Sequence, residues 1–291
     1  MTPRALFLAL TSLILWSFLA FLGAKLNRLP PLLVVGIALC VGGMVSAVRF
    51  RSWRVPLVTF LVGAAGIFGY HFLYFSAFKF APVVEASLIN YLWPLLIVLL
   101  SPLFLVGYNL RWHHLVGATT GFLGASLIVM GDRFQPNAAY FTGYILAAGA
   151  ALTWAIYSLF TKRLPPFPTA AVGGFCLFGG LLSLGIYFLE SSSVIQMIVP
   201  TGVDWLYLIL VGAGPMGLAF FTWDAALKRG DPRIIGSLAY LTPLTSTLIL
   251  IVLGGRSLTW VSALAMLLIV AAAMIGSLEL FRLKSLSVQA R

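Results

Sequence analysis

The chain has 291 residues, 61% of them hydrophobic and only 9% charged, with a formal net charge of +11. A soluble domain carries about 25% charged residues, so this composition cannot cover a water-facing surface; it describes an integral membrane protein with almost no extramembrane domain. The basic residues stand singly or in small groups between apolar runs, which excludes a nucleic-acid-binding patch.

In chain order, apolar segments of spanning length fall near 4–24, 31–48, 55–78, 82–106, 112–131, 139–161, 168–189, 203–227, 232–253 and 258–281. A helix needs about 20 residues to cross the hydrocarbon layer, whereas a barrel strand needs about ten. Backbone groups in lipid must be paired within the segment, so the expected fold is an all-α integral membrane protein of ten transmembrane helices. Arg4 ahead of the first apolar run resembles a signal-peptide start, but the run is longer than a signal core and has a counterpart later in the chain. It is read as a retained helix. Pro30, Pro82, Pro136, Pro168 and Pro232 lie at or near helix starts, where a missing N–H costs little. Cys40 and Cys176 both sit in apolar sequence and read as small buried thiols.

Loop charges set an orientation. Arg4, Arg49, Arg51, Arg54, Arg111, Lys162, Arg163, Lys228, Arg229, Arg233, Arg282, Lys284 and Arg291 fall on one side, and Lys25, Arg28, Lys79, Arg133 and Arg256 on the other. The positive-inside rule then puts both termini in the cytoplasm. Asp132, Glu190 and Asp204 join the poorer side.

The chain repeats itself. Shifted by 149 positions, Phe72–Leu95 overlies Phe221–Leu244 with seven identities in 24, Lys79/Lys228, Tyr91/Tyr240 and Pro94/Pro243 among them; chance would give about two. An offset of 138 sets Trp16 on Trp154 and Pro30 on Pro168. The expectation is two five-helix repeats, residues 1–133 and 134–291, joined near Asp132–Ala138. Five is odd, so the second repeat enters the membrane inverted, as in many secondary transporters.

Pro94 and Pro243 fall inside predicted spans and free the carbonyls of Asn90 and Ala239; they read either as packing kinks or as hinges beside a site. Ser87, Asn90, Tyr91 and Pro94 share one helix face with Trp93 adjacent. Tyr70, His71 and Tyr74 share another, Trp154, Tyr157 and Ser158 a third, and Ser237 and Tyr240 stand one turn apart. Such groups should turn inward from lipid and line an aromatic-walled cavity for a zwitterionic or amphipathic small molecule. Each has a plainer reading: His71 as a packing histidine, Glu85 as a helix-start charge, and Trp53, Trp112, Trp205 and Trp260 as interfacial belt. No carboxylate lies at the centre of a predicted span, which favours gradient-driven facilitation over ion coupling. No P-loop, HExxH or GxSxG motif occurs.

The runs SLINYLWPLL and ALKRGDPRIIGSLAYLTPL make the whole chain resemble the EamA-like branch of the drug/metabolite transporter superfamily. YHFLYFSAFKFAP with NYLWPLL is similar to the YddG-type exporters of aromatic and related amino acids within that branch. The resemblance implies substrate contacts at Tyr70, His71, Tyr74, Tyr91, Trp93, Trp154 and Ser237, a bacterial inner-membrane location and export from the cytoplasm. Together the two readings give candidate substrate-binding residues Tyr70, His71, Tyr74, Asn90, Tyr91, Trp93, Trp154, Tyr157, Ser237 and Tyr240, with hinges at Pro94 and Pro243. The expected partners are an amino-acid substrate and membrane lipid, with no nucleic acid, cofactor or metal, in a chain compatible with a monomer. The alternatives are export of another small metabolite or drug, such as a purine or a cationic toxicant, and an intramembrane enzyme. The enzyme would need a charged catalytic pair, and His71 has no acidic partner in sequence.

Overall fold

Lipid offers the backbone no hydrogen-bond partners, so a chain this apolar must pair its amides along its own helices. The computed structural model describes residues 1–130, 137–191, 198–253, 259–276 and 278, and no strand occurs among them. Of the features read from sequence, Asp132, Arg133, Pro136, Arg256, Arg282, Lys284 and Arg291 lie outside the described residues, as does most of the junction Asp132–Ala138.

Helix α1 (Pro3–Ser17) starts on Thr2, whose hydroxyl accepts the Ala5 N–H at 3.2 Å, and passes through Phe18 into α2 (Leu19–Lys25). Helix α3 (Pro31–Met44) begins on a proline. Helix α4 (Leu57–Ala64) runs into a five-residue π turn, Ala65–Gly69, and on into α5 (Tyr70–Ala77). Helices α6 (Val83–Asn90) and α7 (Leu92–Phe104) are separated only by Tyr91. Then come α8 (Trp112–Met130), α9 (Phe141–Arg163) and α10 (Val172–Ser191). Helix α11 (Gly202–Ala213), held at its start by a Thr201/Asp204 capping box, enters a second π turn, Gly214–Leu218, and continues as α12 (Ala219–Arg229). Helices α13 (Pro232–Ala239) and α14 (Leu241–Val252) are separated by Tyr240, and α15 (Trp260–Gly276) follows.

Among the described residues, seven of the resulting rods are long and apolar enough to cross a membrane, or eight if the bent pair Pro31–Met44 and Ala47–Trp53 counts as one. The segment expected as one span over 31–48 is therefore corrected. Helix α3 stops at Met44, and Ala47–Trp53 leaves it as a 3₁₀ helix turned through 88°. The N–H groups of Val45 and Ser46 close on the Gly42 and Gly43 carbonyls in tight three-residue bonds, and Ser46 Oγ donates to the Ala170 carbonyl at 2.9 Å. Arg49, Arg51 and Arg54 gain more at the headgroups than they would in a continued apolar helix.

Helix α1 packs on α12 and α14, α5 and α7 pack on α9, α3 packs on α10, α7 on α13 and α8 on α15. Two of these contacts bring backbone to backbone: a Cβ on Gly43 would lie 2.7 Å from the Gly173 carbonyl, and one on Gly117 would lie 2.6 Å from the Gly276 Cα. Such approaches replace the hydrophobic drive that lipid-solvated helices lack.

Polar ties gather residues that the charge count assigns to a common side. Arg28 pairs with Asp204 and Lys79 with Glu190 at 3.0 Å; elsewhere, Tyr144 donates to Glu85. Among residues of the other side, Lys162 donates to the carbonyls of Leu227 and Gly230 at 2.9 and 2.5 Å, and Arg233 binds Asp231 and the Asn109 carbonyl. Burial raises the Asp231 carboxyl, but the bonds and charge of Arg233 outweigh it and hold the group below the ordinary carboxylate range.

Gly43→Ala should lower the melting temperature of the detergent-purified protein, because overpacking a backbone contact costs about 1–3 kcal/mol. Gly23→Ala, where a Cβ meets nothing within 4 Å, should leave melting unchanged or slightly raised.

Candidate functional site

The breaks in the helices recur at one spacing. The two π turns start at Ala65 and Gly214, and the two single-residue breaks lie at Tyr91 and Tyr240; both pairs are 149 positions apart (214 − 65 and 240 − 91). This is the offset of the sequence repeat. A π turn widens the helix and leaves carbonyls without their usual i+4 donors, and such turns gather at functional sites. Here side chains take up the slack. Trp16 Nε1 donates to the Pro215 carbonyl at 3.0 Å, and His71 Nδ1 bonds the Ile67 carbonyl at 2.7 Å. A carbonyl can only accept, so Nδ1 carries the imidazole proton and Nε2 presents a lone pair.

Around these turns an aromatic cluster fills the space between α1, α5, α7, α9 and α12. Trp16 is its hub, with ring centroids 6.1 Å from Trp93, 5.7 Å from Trp154, 6.1 Å from Phe220 and 5.0 Å from Trp223. Trp93 meets Trp223 at 5.6 Å, and Trp154 meets Tyr70 at 5.2 Å, Tyr157 at 5.4 Å and Phe220 at 5.5 Å. Tyr70 stacks on Tyr74 at 5.8 Å, and His71 touches Tyr70 and Phe220. Most of the contacts are edge-on or tilted, the geometry that ring quadrupoles favour, each worth about 0.5–1.5 kcal/mol beyond area burial.

Hydrogen bonds thread the rings. Asn90 Nδ2 donates to the Tyr70 hydroxyl at 3.1 Å, Tyr74 pairs with Ser87 at 2.9 Å, and Trp223 Nε1 donates to Ser158 Oγ at 3.1 Å. One acceptor is left over: Asn90 Oδ1 is buried with no hydrogen-bond partner among the described residues. His71 Nε2 makes no hydrogen bond to any described residue either. A buried unpaired acceptor costs about 1–3 kcal/mol, so the cluster keeps a standing demand for a donor.

The structure brings Tyr70, His71, Tyr74, Asn90, Trp93, Trp154 and Tyr157 into this cluster. Tyr91 packs against a neighbouring cluster that holds Tyr240. It does not bring in Ser237 or Tyr240. Ser237 is fully buried, donates to the Arg233 carbonyl of its own helix at 3.0 Å and packs on Gly276 of α15. Tyr240 is fully buried among Ala125 and Ile269 with its ring on Gly121, and its hydroxyl makes a long 3.4 Å contact to the Tyr91 carbonyl. Both prolines are buried three residues beyond the breaks, Pro94 in α7 and Pro243 in α14. Sequence reasoning left Trp16, Phe220 and Trp223 out of the site. The repeat carried the signal for all three: Trp16 is the counterpart of Trp154, Phe220 of His71 and Trp223 of Tyr74.

One carboxylate lies beside the cluster. Asp224, next to Trp223 and 1% exposed, accepts from Lys228 at 2.7 Å and Thr169 at 2.6 Å. Lys228 also donates to the Phe167 carbonyl at 3.0 Å, so the pair ties α12 to the loop ahead of α10. No metal-ligating group of His, Cys, Asp or Glu occurs among the described residues.

Fold and cluster together define a multi-pass helical membrane protein with a polar-spotted aromatic centre. The chain belongs to the EamA-like transporter family, whose model matches it twice, over residues 3–130 and 141–278. It is 40% identical to the "Aromatic amino acid exporter YddG" of Ancylobacter novellus over 286 residues, 94% of this chain and 97% of that protein. It is 26% identical to a "Probable amino-acid metabolite efflux pump" of Salmonella typhimurium, over 91% of this chain and 92% of that protein. A solved crystal structure with 39% identity superposes with a TM-score of 0.88, covering 96% of this chain and 98% of its own.

Trp16→Phe keeps a ring in place but strips the Pro215 carbonyl of its donor. It should destabilise the purified protein by about 1–3 kcal/mol, read as a lower melting temperature.

Proposed function

We propose that the chain exports amino acids, aromatic ones first and other neutral ones with them, from the cytoplasm across a bacterial inner membrane. Transport runs by alternating access and follows the substrate's own gradient. The observation that carries this reading is the aromatic cluster with its unpaired acceptors. Ring faces suit an aromatic side chain; Asn90 Oδ1 and His71 Nε2 suit an ammonium; the Tyr70 hydroxyl, which already accepts from Asn90, has a proton to give a carboxylate. The names of the exporter from Ancylobacter novellus and the efflux pump from Salmonella typhimurium support the same substrate class. Asp224, already paired with Lys228, supports facilitation over ion coupling.

The binding residues in this reading are Tyr70, His71, Tyr74, Asn90, Tyr91, Trp93, Trp154 and Tyr157, with Trp16, Phe220 and Trp223 closing the cluster. Ser237 and Tyr240 support it from the α8–α15 side, and the helix breaks before Pro94 and Pro243 act as hinges. The architecture is ten spans in two inverted five-helix repeats, with α8 and α15 as the fifth and tenth and both termini cytoplasmic. Its support is the double family match, offset by 138 residues (141 − 3). The packing adds to it: α1 on α12 has its counterpart in α9 on α5, and α1 on α14 in α9 on α7, as a two-fold relation requires.

Reconstituted in vesicles, the protein should move labelled phenylalanine, tryptophan, threonine and methionine faster than empty vesicles do; equal rates for all four would end the amino-acid reading. His71→Ala or Trp93→Ala should cut flux about tenfold, ~1.4 kcal/mol, while melting stays cooperative. Unchanged flux in both would move the site elsewhere. The role given to Asn90 predicts that tryptophan outcompetes indole-3-propionate, which lacks the ammonium, and that Asn90→Leu narrows that preference. A preference untouched by Asn90→Leu would remove Asn90 from ammonium recognition and leave the transport assignment standing.

A further inference from the structure

The 3₁₀ segment Ala47–Trp53 takes no part in the aromatic cluster, yet it is built with care. It leaves α3 at 88°, so if that helix runs along the membrane normal the segment lies along the membrane surface. Helix α3 has 14 residues, about 21 Å at 1.5 Å per residue, which puts its end near a headgroup layer rather than in water. The segment is fixed in this pose from beneath: Trp53 Nε1 donates to Ser46 Oγ at 2.9 Å, and Ser46 Oγ donates to the Ala170 carbonyl at 2.9 Å.

Its outer surface mixes two chemistries. Arg49, Arg51 and Arg54 are all exposed, and their guanidinium groups make no hydrogen bond or ion pair with the described residues. Between and beside them Val48 is 96% exposed, Phe50 57% and Met44 58%. Water alone rewards neither Val48 nor Phe50 at the surface, and the acyl region alone does not reward three cations. The boundary between acyl chains and phosphates rewards both, because apolar side chains dip inward while arginine forks reach phosphate oxygens. Three basic residues within six positions also attract an anionic surface beyond what a neutral lipid gives.

We propose that residues 47–54 form an interfacial binding site for the headgroup phosphate of an anionic phospholipid, with Val48 and Phe50 seated among its acyl chains and Arg49, Arg51 and Arg54 on the phosphate. The hydrogen bonds of Ser46 and Trp53 tie the segment that carries the three arginines to the protein at both its ends. The site owes nothing to the identity of the transported molecule.

The test uses the full-length protein in neutral detergent, melted with added phosphatidylglycerol or phosphatidylcholine. Phosphatidylglycerol should raise the melting temperature clearly more than phosphatidylcholine, and the increment should shrink as sodium chloride is raised. The triple variant R49Q/R51Q/R54Q should melt like the parent in phosphatidylcholine, since these groups bind none of the described residues, and should lose roughly half or more of the phosphatidylglycerol increment. Inorganic phosphate should not substitute for the lipid. Phe50→Ser, which keeps all three charges, should also reduce the lipid increment, and it serves as the readout if the triple variant does not fold. An unreduced phosphatidylglycerol increment in the triple variant, or in Phe50→Ser where that stands in for it, would overturn the proposal. So would equal stabilisation by the two lipids, or full replacement by inorganic phosphate.

Discussion

Everything in this molecule answers to the requirement that a carbonyl or amide at membrane depth find a partner inside the protein. An unmet group costs several kcal/mol there, because no water is present to relieve it. A continuous α-helix meets the requirement without help. This chain instead interrupts its helices at Ala65–Gly69, Tyr91, Gly214–Leu218 and Tyr240. The interruptions persist because side chains repair them, and the repairs recruit Trp16 and His71 to the points where the backbone is open. The aromatic cluster is thus the lining that makes broken helices tolerable as well as the place where an aromatic solute would fit. The candidate site and the backbone repair overlap in Trp16 and His71.

That dual use explains what could be read from the sequence. Span lengths, short connections and the 149-residue repeat were legible because each rests on many residues. Tyr70, His71, Asn90, Trp93 and Trp154 stood out because an amide or imidazole in lipid must face inward. The π turns did not stand out. AGIFG and GPMGL are apolar, glycine-containing stretches like a dozen others here, and an extra residue in a helical turn leaves no compositional trace. Without them the facing of α1 and α12 could not be worked out, so Trp16, Phe220 and Trp223 were not among the candidate site residues. The bend after Met44 was hidden for a similar reason: hydropathy continues through Val45 and Val48 while the hydrogen bonding does not.

Ser237 and Tyr240 show a different case, in which a polar residue lies outside the aromatic cluster. Ser237 spends its hydroxyl on its own helix, and Tyr240 lies on Gly121 where no larger residue would fit. Ser237 follows a rule that sequence inspection underweights: a serine hydroxyl in a membrane helix has a partner four residues back at no conformational cost. Polar character marks an inward face, but a group able to bond its own helix is weaker evidence of a site than one that cannot. Asn90 belongs to the second kind, because one half of its amide binds Tyr70 and the other half finds no partner among the described residues.

The two repeats have divided their labour. At positions related by 149, the first half keeps His71, Asn90 and Trp93 where the second has Phe220, Ala239 and Thr242. Phe220 is not idle, since it packs on His71, its own counterpart, and on Trp154. Tyr240 likewise reaches the carbonyl of its counterpart Tyr91. Contacts between counterparts are what a two-fold axis through the cluster would produce, because only residues near such an axis can touch their own images. One image supplies hydrogen-bonding groups and the other supplies ring surface. A symmetric pair would have to offer the same chemistry twice, and a zwitterion with an aromatic side chain is not symmetric. Under the proposed function, divergence at such an axis, with the helix breaks retained at both related positions, would let a symmetric pair of breaks serve an asymmetric ligand.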